Sequence, residues 1–288
     1  MTNFSIAQAL VEASQMLRRA GIMEARRDAS ALLAHLLGRD ATYLIAHAER
    51  ELTASDVARY RSFIERRAAG EPLQYITGRQ EFFNLDFTVT PDVLIPRPET
   101  ELLVETALEL MKETNAPPFI CDVGTGTGCI AISILHERRQ ARGVALDISP
   151  TALKVAAQNA ARHDVRERLA FAASDCLDAL DAARTEFSLI VSNPPYVAER
   201  AYDGLQREVR EHEPRVALTP GGDGLGMIRR LLADAPRFLS TRGHLLLEIG
   251  FDQHEAVNQM IDNSVWTLLD IHKDLQGIPR TVALRKQG

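Results

Sequence analysis

From residue 118 onward, short apolar runs alternate with longer stretches whose apolar residues recur at helical spacing, and this alternation restricts the possible folds more than any other feature. Candidate strands occupy 118–123, 142–147, 168–173, 187–192, 242–249, 264–271 and 280–285, with candidate helices at 99–113, 129–140, 150–162, 225–238 and 252–263. Strands separated by helices predict a parallel sheet covered on both faces. Right-handed crossovers then leave little but a seven-stranded, doubly wound α/β domain. Ligands of such sheets gather beyond the carboxyl ends of the strands, so the chemistry is to be sought there.

The chain before this domain has a different period. Ser5 and Gln8 fit a capping box ahead of Ile6, Leu10, Ala13 and Leu17, and a second apolar stripe runs from Ala29 through Leu32, Leu33, Leu36 and Leu37 to Gly38. A short helical stretch follows near Thr42, and Thr53 opens another helix whose Val57, Tyr60 and Ile64 share a face until Gly70. Residues 1–71 therefore read as a helical bundle. Beyond Pro72 the pattern becomes alternating, with Phe83, Leu85, Phe87 and Val89 opposite Asn84, Asp86 and Thr88. This predicts a β-hairpin over 73–90, within a linker spanning 72–97 that joins the bundle to a domain over 98–288. Arg97-Pro98-Glu99-Thr100-Glu101 reads as a helix start, whose acids suit the helix dipole and leave a role in the site open. Residues 197–224 form one long connection without clear structure, of the kind that is usually a functional lid or disordered.

Charge narrows the partners. The net charge is −6, yet the first 80 residues hold 11 Arg and no Lys against 9 acids, so the remainder is acidic. An acidic domain argues against tight binding of a duplex through its phosphates. The three cysteines, Cys121, Cys129 and Cys176, include no C-x-x-C pair, so neither a disulfide framework nor a metal site is expected. No apolar run is long enough to span a membrane, and Met1-Thr2-Asn3-Phe4 lacks the basic start of a signal peptide. A cytoplasmic protein is expected.

Three strand ends carry candidate chemistry. Strand 118–123 runs into Gly124-Thr125-Gly126-Thr127-Gly128, where glycines at alternate positions let the backbone turn sharply and approach a ligand. The spacing differs from the Gly-x-Gly-x-x-Gly that seats a dinucleotide pyrophosphate. The next strand ends at Asp147, where a carboxylate grips ribose hydroxyls, and Ser149-Pro150 already supplies the cap of the following helix. The third ends at Ser174-Asp175-Cys176, beside the expected place of a base. Strand 187–192 ends in Asn193-Pro194-Pro195-Tyr196: the prolines remove donors and leave carbonyls, Asn193 adds a side-chain acceptor, and Tyr196 adds a flat ring. Such a group suits a planar NH2. A ribose and a base without a pyrophosphate, facing an amine acceptor, suggest S-adenosylmethionine and methyl transfer to nitrogen.

These residues resemble the seven-stranded class I methyltransferases that act on amide or exocyclic amine nitrogen. Leu94-Ile95-Pro96-Arg97-Pro98-Glu99-Thr100-Glu101, Glu213-Pro214 with Ala217-Leu218, and Gly221-Gly222-Asp223-Gly224-Leu225 are more specifically similar to the release-factor glutamine methyltransferases, the HemK family. The likeness runs over nearly the whole chain. It implies a Rossmann-like methyltransferase domain with an N-terminal helical bundle and a hairpin linker. It also implies methylation of N5 of the glutamine in the Gly-Gly-Gln loop of peptide chain release factors, leaving S-adenosyl-L-homocysteine. By position, Gly124 to Gly128 would line the methionine part of the cofactor and Asp147 hold the ribose. Asp175 and Cys176 would lie by the adenine. Asn193 to Tyr196 would hold the substrate amide, with Asn193 and Tyr196 catalytic and Asn193 also near the cofactor. The family often has an aromatic residue in place of Cys176, which bears on how the adenine is stacked.

The expected chemistry is alignment: Asn193 Oδ1 and the Pro194 carbonyl accept the two amide hydrogens, and Tyr196 packs over the amide plane. The expected partner is a release factor, bound by the helical domain, with a monomer as the working unit and neither nucleic acid nor membrane in direct contact. The alternatives are an adenine-N6 DNA methyltransferase, which shares Asn-Pro-Pro-Tyr, a ribosomal-protein glutamine methyltransferase, which usually has Cys where this chain has Gly124, and a noncatalytic adaptor.

Overall fold

The computed structural model describes residues 4–113 and 117–288, so Met1, Thr2 and Asn3 of the signal-peptide reading lie outside the described residues. The chain forms two compact units, one of residues 1–79 with 206–212 and the other of residues 80–205 with 213–288.

The first unit is built from α1 (Ile6–Arg19), α2 (Ala25–Leu37), α3 (Ala41–Ala46), α4 (Ala54–Ala68) and α5 (Leu73–Thr77). Ser5 and Thr53 close capping boxes at the starts of α1 and α4, satisfying backbone donors that the first turn leaves unpaired. The apolar stripes meet in one core, where Ile6, Leu17, Leu32 and Leu33 are fully buried. The Tyr60 hydroxyl donates to the Ala29 carbonyl at 2.8 Å, which lets a phenol sit inside that core. The part of the expected hairpin at 73–77 is instead helix α5. Its two inward residues, Tyr75 and Ile76, are too few to distinguish one period from the other, and Gly78, at φ 71°, ends it in the left-handed region.

The second unit begins with the hairpin, β1 (Arg79–Phe82) and β2 (Leu85–Thr88), joined through Phe83 and Asn84 at φ 50° and 58°. Two residues with positive φ make the turn whose twist matches the strands. Glu101 Oε1 accepts from Phe83 N at 2.8 Å, so one of the acids at the helix start anchors the hairpin turn. Phe82 and Phe87 pack into the core of the α/β unit.

The large sheet contains β3 (Phe119–Val123), β4 (Arg142–Asp147), β5 (Leu169–Ala173), β6 (Phe187–Ser192), β7 (Leu239–Glu248), β8 (Trp266–Lys273) and β9 (Pro279–Lys286), in the order β5-β4-β3-β6-β7-β9-β8. The first five are parallel, but β9 runs antiparallel between β7 and β8. The fully parallel sheet expected from the alternation is thus corrected at one edge: the turn at Asp274 and Gly277 is too short for a crossover helix, so β8 and β9 can only form a hairpin. Helices α6 (Glu101–Leu110), α7 (Cys129–Glu137) and α8 (Pro150–Arg162) contribute to one core cluster, while α11 (Gly226–Asp234) and α12 (His254–Met260) pack into the other.

The 197–224 connection has defined structure. It forms a 3-10 helix over Glu199–Gly204, then α9 (Arg207–His212) and α10 (Arg215–Leu218), and closes on itself where Val197 N donates to Leu218 O at 2.9 Å and Glu199 N to Gly222 O at 3.0 Å. Its α9 belongs to the helical unit. There Arg67, whose side chain is only 9% exposed, is bonded by Asp28 at 2.7 Å and by Glu208 of α9 at 2.8 Å. Asp28→Ala would leave a buried guanidinium with one carboxylate partner fewer, and it is expected to lower stability by about 3 kcal/mol in urea unfolding.

Candidate active site

The strand order reverses between β3 and β6, since β4 and β5 continue to one side of β3 and β7 to the other side of β6. Asp122 lies opposite Val191 in the register, and Ser192 Oγ donates to Val123 O at 2.7 Å. The glycine loop and Asn193 therefore leave the sheet side by side, at the switch point where doubly wound sheets bind ligands. A cavity of about 510 Å³ opens there, and Gly124, Gly126, Asp147, Cys176, Asn193 and Pro195 are among its walls.

The glycine loop is held from below. Asp122, fully buried, accepts from the Thr125 hydroxyl at 2.7 Å and from Ala131 N at 3.3 Å, and burial pushes its carboxyl pKa up to about 7. Buried Asn159 donates to Thr127 O at 2.9 Å and exchanges bonds with the Thr88 backbone, so the loop and the end of β2 share one clamp. Thr125 and Thr127 are buried, and neither is part of the cavity wall. Gly124 and Gly126 have positive φ and open space where a Cβ would stand, as a ligand's close approach requires. At Gly128 a Cβ would lie 2.7 Å from Ile132 Cδ1, so this glycine serves the packing of α7 rather than the opening.

Asp147 Oδ2 accepts from Gly126 N at 2.8 Å and its Oδ1 from Ser149 N at 2.9 Å. One carboxylate thus ties the glycine loop to the end of β4 and keeps unused lone pairs facing the cavity. Burial raises its pKa, while these two amides oppose the shift. Ser149 caps α8 by accepting from Ala152 N, as its place before Pro150 predicts. Asp175 is exposed, and its carboxylate accepts from Arg230 of α11 at 2.7 Å; both residues line the cavity. Cys176 sits in the left-handed region at φ 56°, buried, with its thiol pKa pushed up to about 11 by that burial. A cavity of this size, with a carboxylate, open glycines and an apolar far wall, fits a nucleoside-bearing cofactor such as S-adenosylmethionine.

Asn193 Nδ2 donates to Thr100 Oγ1 at 3.1 Å, which leaves Oδ1 as the free acceptor of a side chain on the cavity wall. Pro194 is buried, and Pro195 lines the cavity. Tyr196 does not form part of that wall: its hydroxyl donates to Glu248 at 3.3 Å and its carbonyl accepts from Gln253 Nε2 at 2.9 Å. Burial raises the phenol pKa. Glu213 is buried and accepts from Ile95 N at 3.3 Å and from Arg97 Nη2 at 2.6 Å, joining two stretches that were conspicuous only as family-like sequence.

The sequence reading gives no site role to Glu248, Gln253, Arg230 or the clamp of Asn159, and it names Thr100 only within the helix start and the family-like stretch. Only Glu248 had a local signal, an acid ending a buried strand, the same signal that singled out Asp147.

Comparison with known proteins matches both halves of the chain to described domains, the PrmC N-terminal domain over residues 8–78 and the methyltransferase small domain over residues 98–225. A release factor glutamine methyltransferase from Koribacter versatilis is 44% identical over 283 residues, covering 98% of this chain and 99% of the relative. Another, from Burkholderia pseudomallei, is 46% identical over 265 residues, covering 91% and 92%. Among solved structures, the hMettl16 catalytic domain in complex with MAT2A 3'UTR hairpin 6 superimposes with a TM-score of 0.57 at 16% identity, covering 83% of this chain and 84% of that one. A methyltransferase from Pyrococcus furiosus gives 0.52 at 15%, covering 82% and 100%. At such identities these two establish the shared fold alone.

Gly224 is where the Asn-Pro-Pro-Tyr loop meets the long connection. It has φ +82°, and a Cβ there would stand 2.3 Å from Tyr196 O and 2.9 Å from Ala198 N. Gly224→Ala must displace the backbone that carries the acceptor group. A displacement near 1 Å is expected to lower turnover about 100-fold while circular dichroism stays native, a pairing that steady-state kinetics and a spectrum check.

Proposed function

The chain belongs to the release factor glutamine methyltransferase family, and from that premise we propose that it methylates the side-chain amide nitrogen of the glutamine in the Gly-Gly-Gln loop of peptide chain release factors. The single observation that carries this reading is the Asn193 amide, turned with its NH2 toward Thr100 and its oxygen left to accept at the cavity wall. A primary amide presents two hydrogens in one plane, and Asn193 Oδ1 with the Pro194 carbonyl makes a matching pair of acceptors.

When bound, S-adenosylmethionine supplies an electrophilic methyl group. Asp147 holds the ribose, the open backbone at Gly124 and Gly126 lets the methionine part lie close, and Asp175 with Cys176 faces the base. The amide nitrogen is a poor nucleophile because its lone pair is delocalised into the carbonyl. Asn193 and Pro194 therefore act by fixing its direction, and Tyr196, anchored at its hydroxyl by Glu248, steadies the loop that carries them. No base need take the proton beforehand, since it becomes acidic only as the new bond forms. The helical unit, with its buried Leu stripes and Arg-rich surface, is the proposed holder of the protein substrate. A monomer is the proposed working unit, and a release-factor substrate implies the cytoplasm. Among the described residues no helix is long and apolar enough to cross a membrane.

Transfer of labelled methyl is expected onto a purified release factor, and neither onto a copy whose Gly-Gly-Gln glutamine is alanine nor onto duplex DNA. Label on DNA, or on nothing, overturns the reading. In the same single-turnover assay Asn193→Ala should abolish transfer, with cofactor affinity by calorimetry largely kept. Asp147→Ala should do the reverse, weakening cofactor affinity by about tenfold or more through the loss of a charged hydrogen-bond acceptor.

A further inference from the structure

Gln253 occupies the N-cap position of α12, where a side chain would ordinarily accept from the first turn of the helix, yet its side chain makes no capping bond. Both halves of its buried amide are used elsewhere. Oε1 accepts from Gly250 N at 2.9 Å, and Nε2 donates to Tyr196 O at 2.9 Å. The direction of this bridge is forced. A backbone N–H can only donate and a backbone carbonyl can only accept, so the Gln253 oxygen must face Gly250 and its NH2 must face Tyr196. The fit at Gly250 is close as well, since a Cβ there would stand 3.0 Å from Oε1 and 3.1 Å from Cδ.

The acceptor loop depends on such a holder. Pro194 and Pro195 carry no N–H, so the loop cannot be pinned through donors of its own at those positions. Tyr196 is instead fixed at both ends by the chain that leaves β7. Glu248, the last residue of that strand, accepts from its hydroxyl at 3.3 Å, and Gln253 holds its carbonyl. This restraint reaches the reacting group. The ring of Pro195 sets its φ, so only its ψ is soft between the plane of the Pro194 carbonyl and the Tyr196 Cα. The strands that carry the two partners are parallel neighbours, with Ser192 of β6 opposite Leu247 of β7, and the bridge therefore ties together loops that leave the sheet side by side.

We infer that Gln253 is a positioning residue for methyl transfer: its amide, oriented by the Gly250 N–H, holds the Tyr196 carbonyl and through it the Pro194 carbonyl that receives the substrate amide. The inference rests on the role of Asn193 and Pro194 proposed above. Gln253 is not among the residues of the cavity wall, so its replacement leaves the lining of the cofactor site as it is.

Two substitutions take the bridge apart. Gln253→Met keeps the length of the side chain and fills the same space, but removes both bonds. Gln253→Glu, ionised at alkaline pH, keeps an acceptor for Gly250 N and sets a carboxylate oxygen against the Tyr196 carbonyl, where two acceptors share no hydrogen. A side chain needed only for packing would be replaced adequately by Met, and one needed only to hold the turn at Gly250 by Glu. A side chain needed for its donor is replaced by neither.

The test is single-turnover transfer of labelled methyl at alkaline pH over a range of release-factor concentrations, beside cofactor affinity by calorimetry. Both variants are expected to lower the saturating rate about tenfold or more, with Gln253→Glu the slower. The half-saturating release-factor concentration and the cofactor affinity should stay within about twofold of wild type, a split that general loosening of the fold would not produce. A saturating rate near that of wild type in either variant overturns the inference, and so does a slow rate with an equal loss of cofactor affinity in Gln253→Met. Wild-type protein that transfers nothing to a release factor overturns the function proposed above and this inference with it, whereas active wild type with an indifferent Gln253→Met overturns this inference alone.

Discussion

The pairing of β3 with β6 is the constraint on which everything else in the α/β unit depends. With Asp122 opposite Val191 and the Ser192 hydroxyl bonded to the Val123 carbonyl, two loops far apart in sequence must leave the sheet together. The crevice between them exists because the chain reverses its direction of travel there, and no helix covers a point from which strands depart to both sides. Both candidate ligand groups are products of this one register. A slip by one residue would turn Ser192 and Asp122 to the opposite faces and separate them.

Around this junction the structure concentrates carboxylates that a core would ordinarily exclude. Asp122, Asp147 and Glu248 all have raised pKa values, and burial is the leading cause in each. Each is made tolerable differently. Asp122 takes a hydroxyl and a helix amide on one oxygen, Asp147 takes one loop amide on each, and Glu248 takes the Tyr196 hydroxyl, so Asp122 and Glu248 each keep one oxygen without a partner among the described residues. The first two shape the glycine loop, and an acceptor-only group is the natural device for gathering backbone N–H donors. Glu248 instead anchors the side chain of Tyr196.

Much of the fold was legible because it is written in local periods. β4, β6 and α8 begin and end where their patterns do, since each is an apolar run bounded by Gly, Asp or Ser-Pro. Legibility failed where local pattern was short or ambiguous. Leu73–Thr77 became helix on two buried residues, and the last two strands paired antiparallel because a short turn forbids a crossover. The 197–224 connection looked structureless for a different reason. Its helices are too short to display a period, and its order comes from closing on itself and from the membership of α9 in the other unit.

The sequence by itself determined the seven-stranded frame, the glycine loop, Asp147 and the Asn193 to Tyr196 group, because each lies at a strand end that local spacing defines. The tertiary structure alone decided which of these face the cavity and what holds them: that Thr125 and Thr127 turn inward, that Gly128 serves packing, and that Gly224 lies under the Tyr196 carbonyl. It also decided the direction of the Asn193 amide, through Thr100 at the start of α6. Such contacts join residues scores of positions apart. Local periodicity reports only how a segment meets its own neighbours, while the direction of a hydrogen bond is set by whichever distant donor or acceptor the finished fold brings to it.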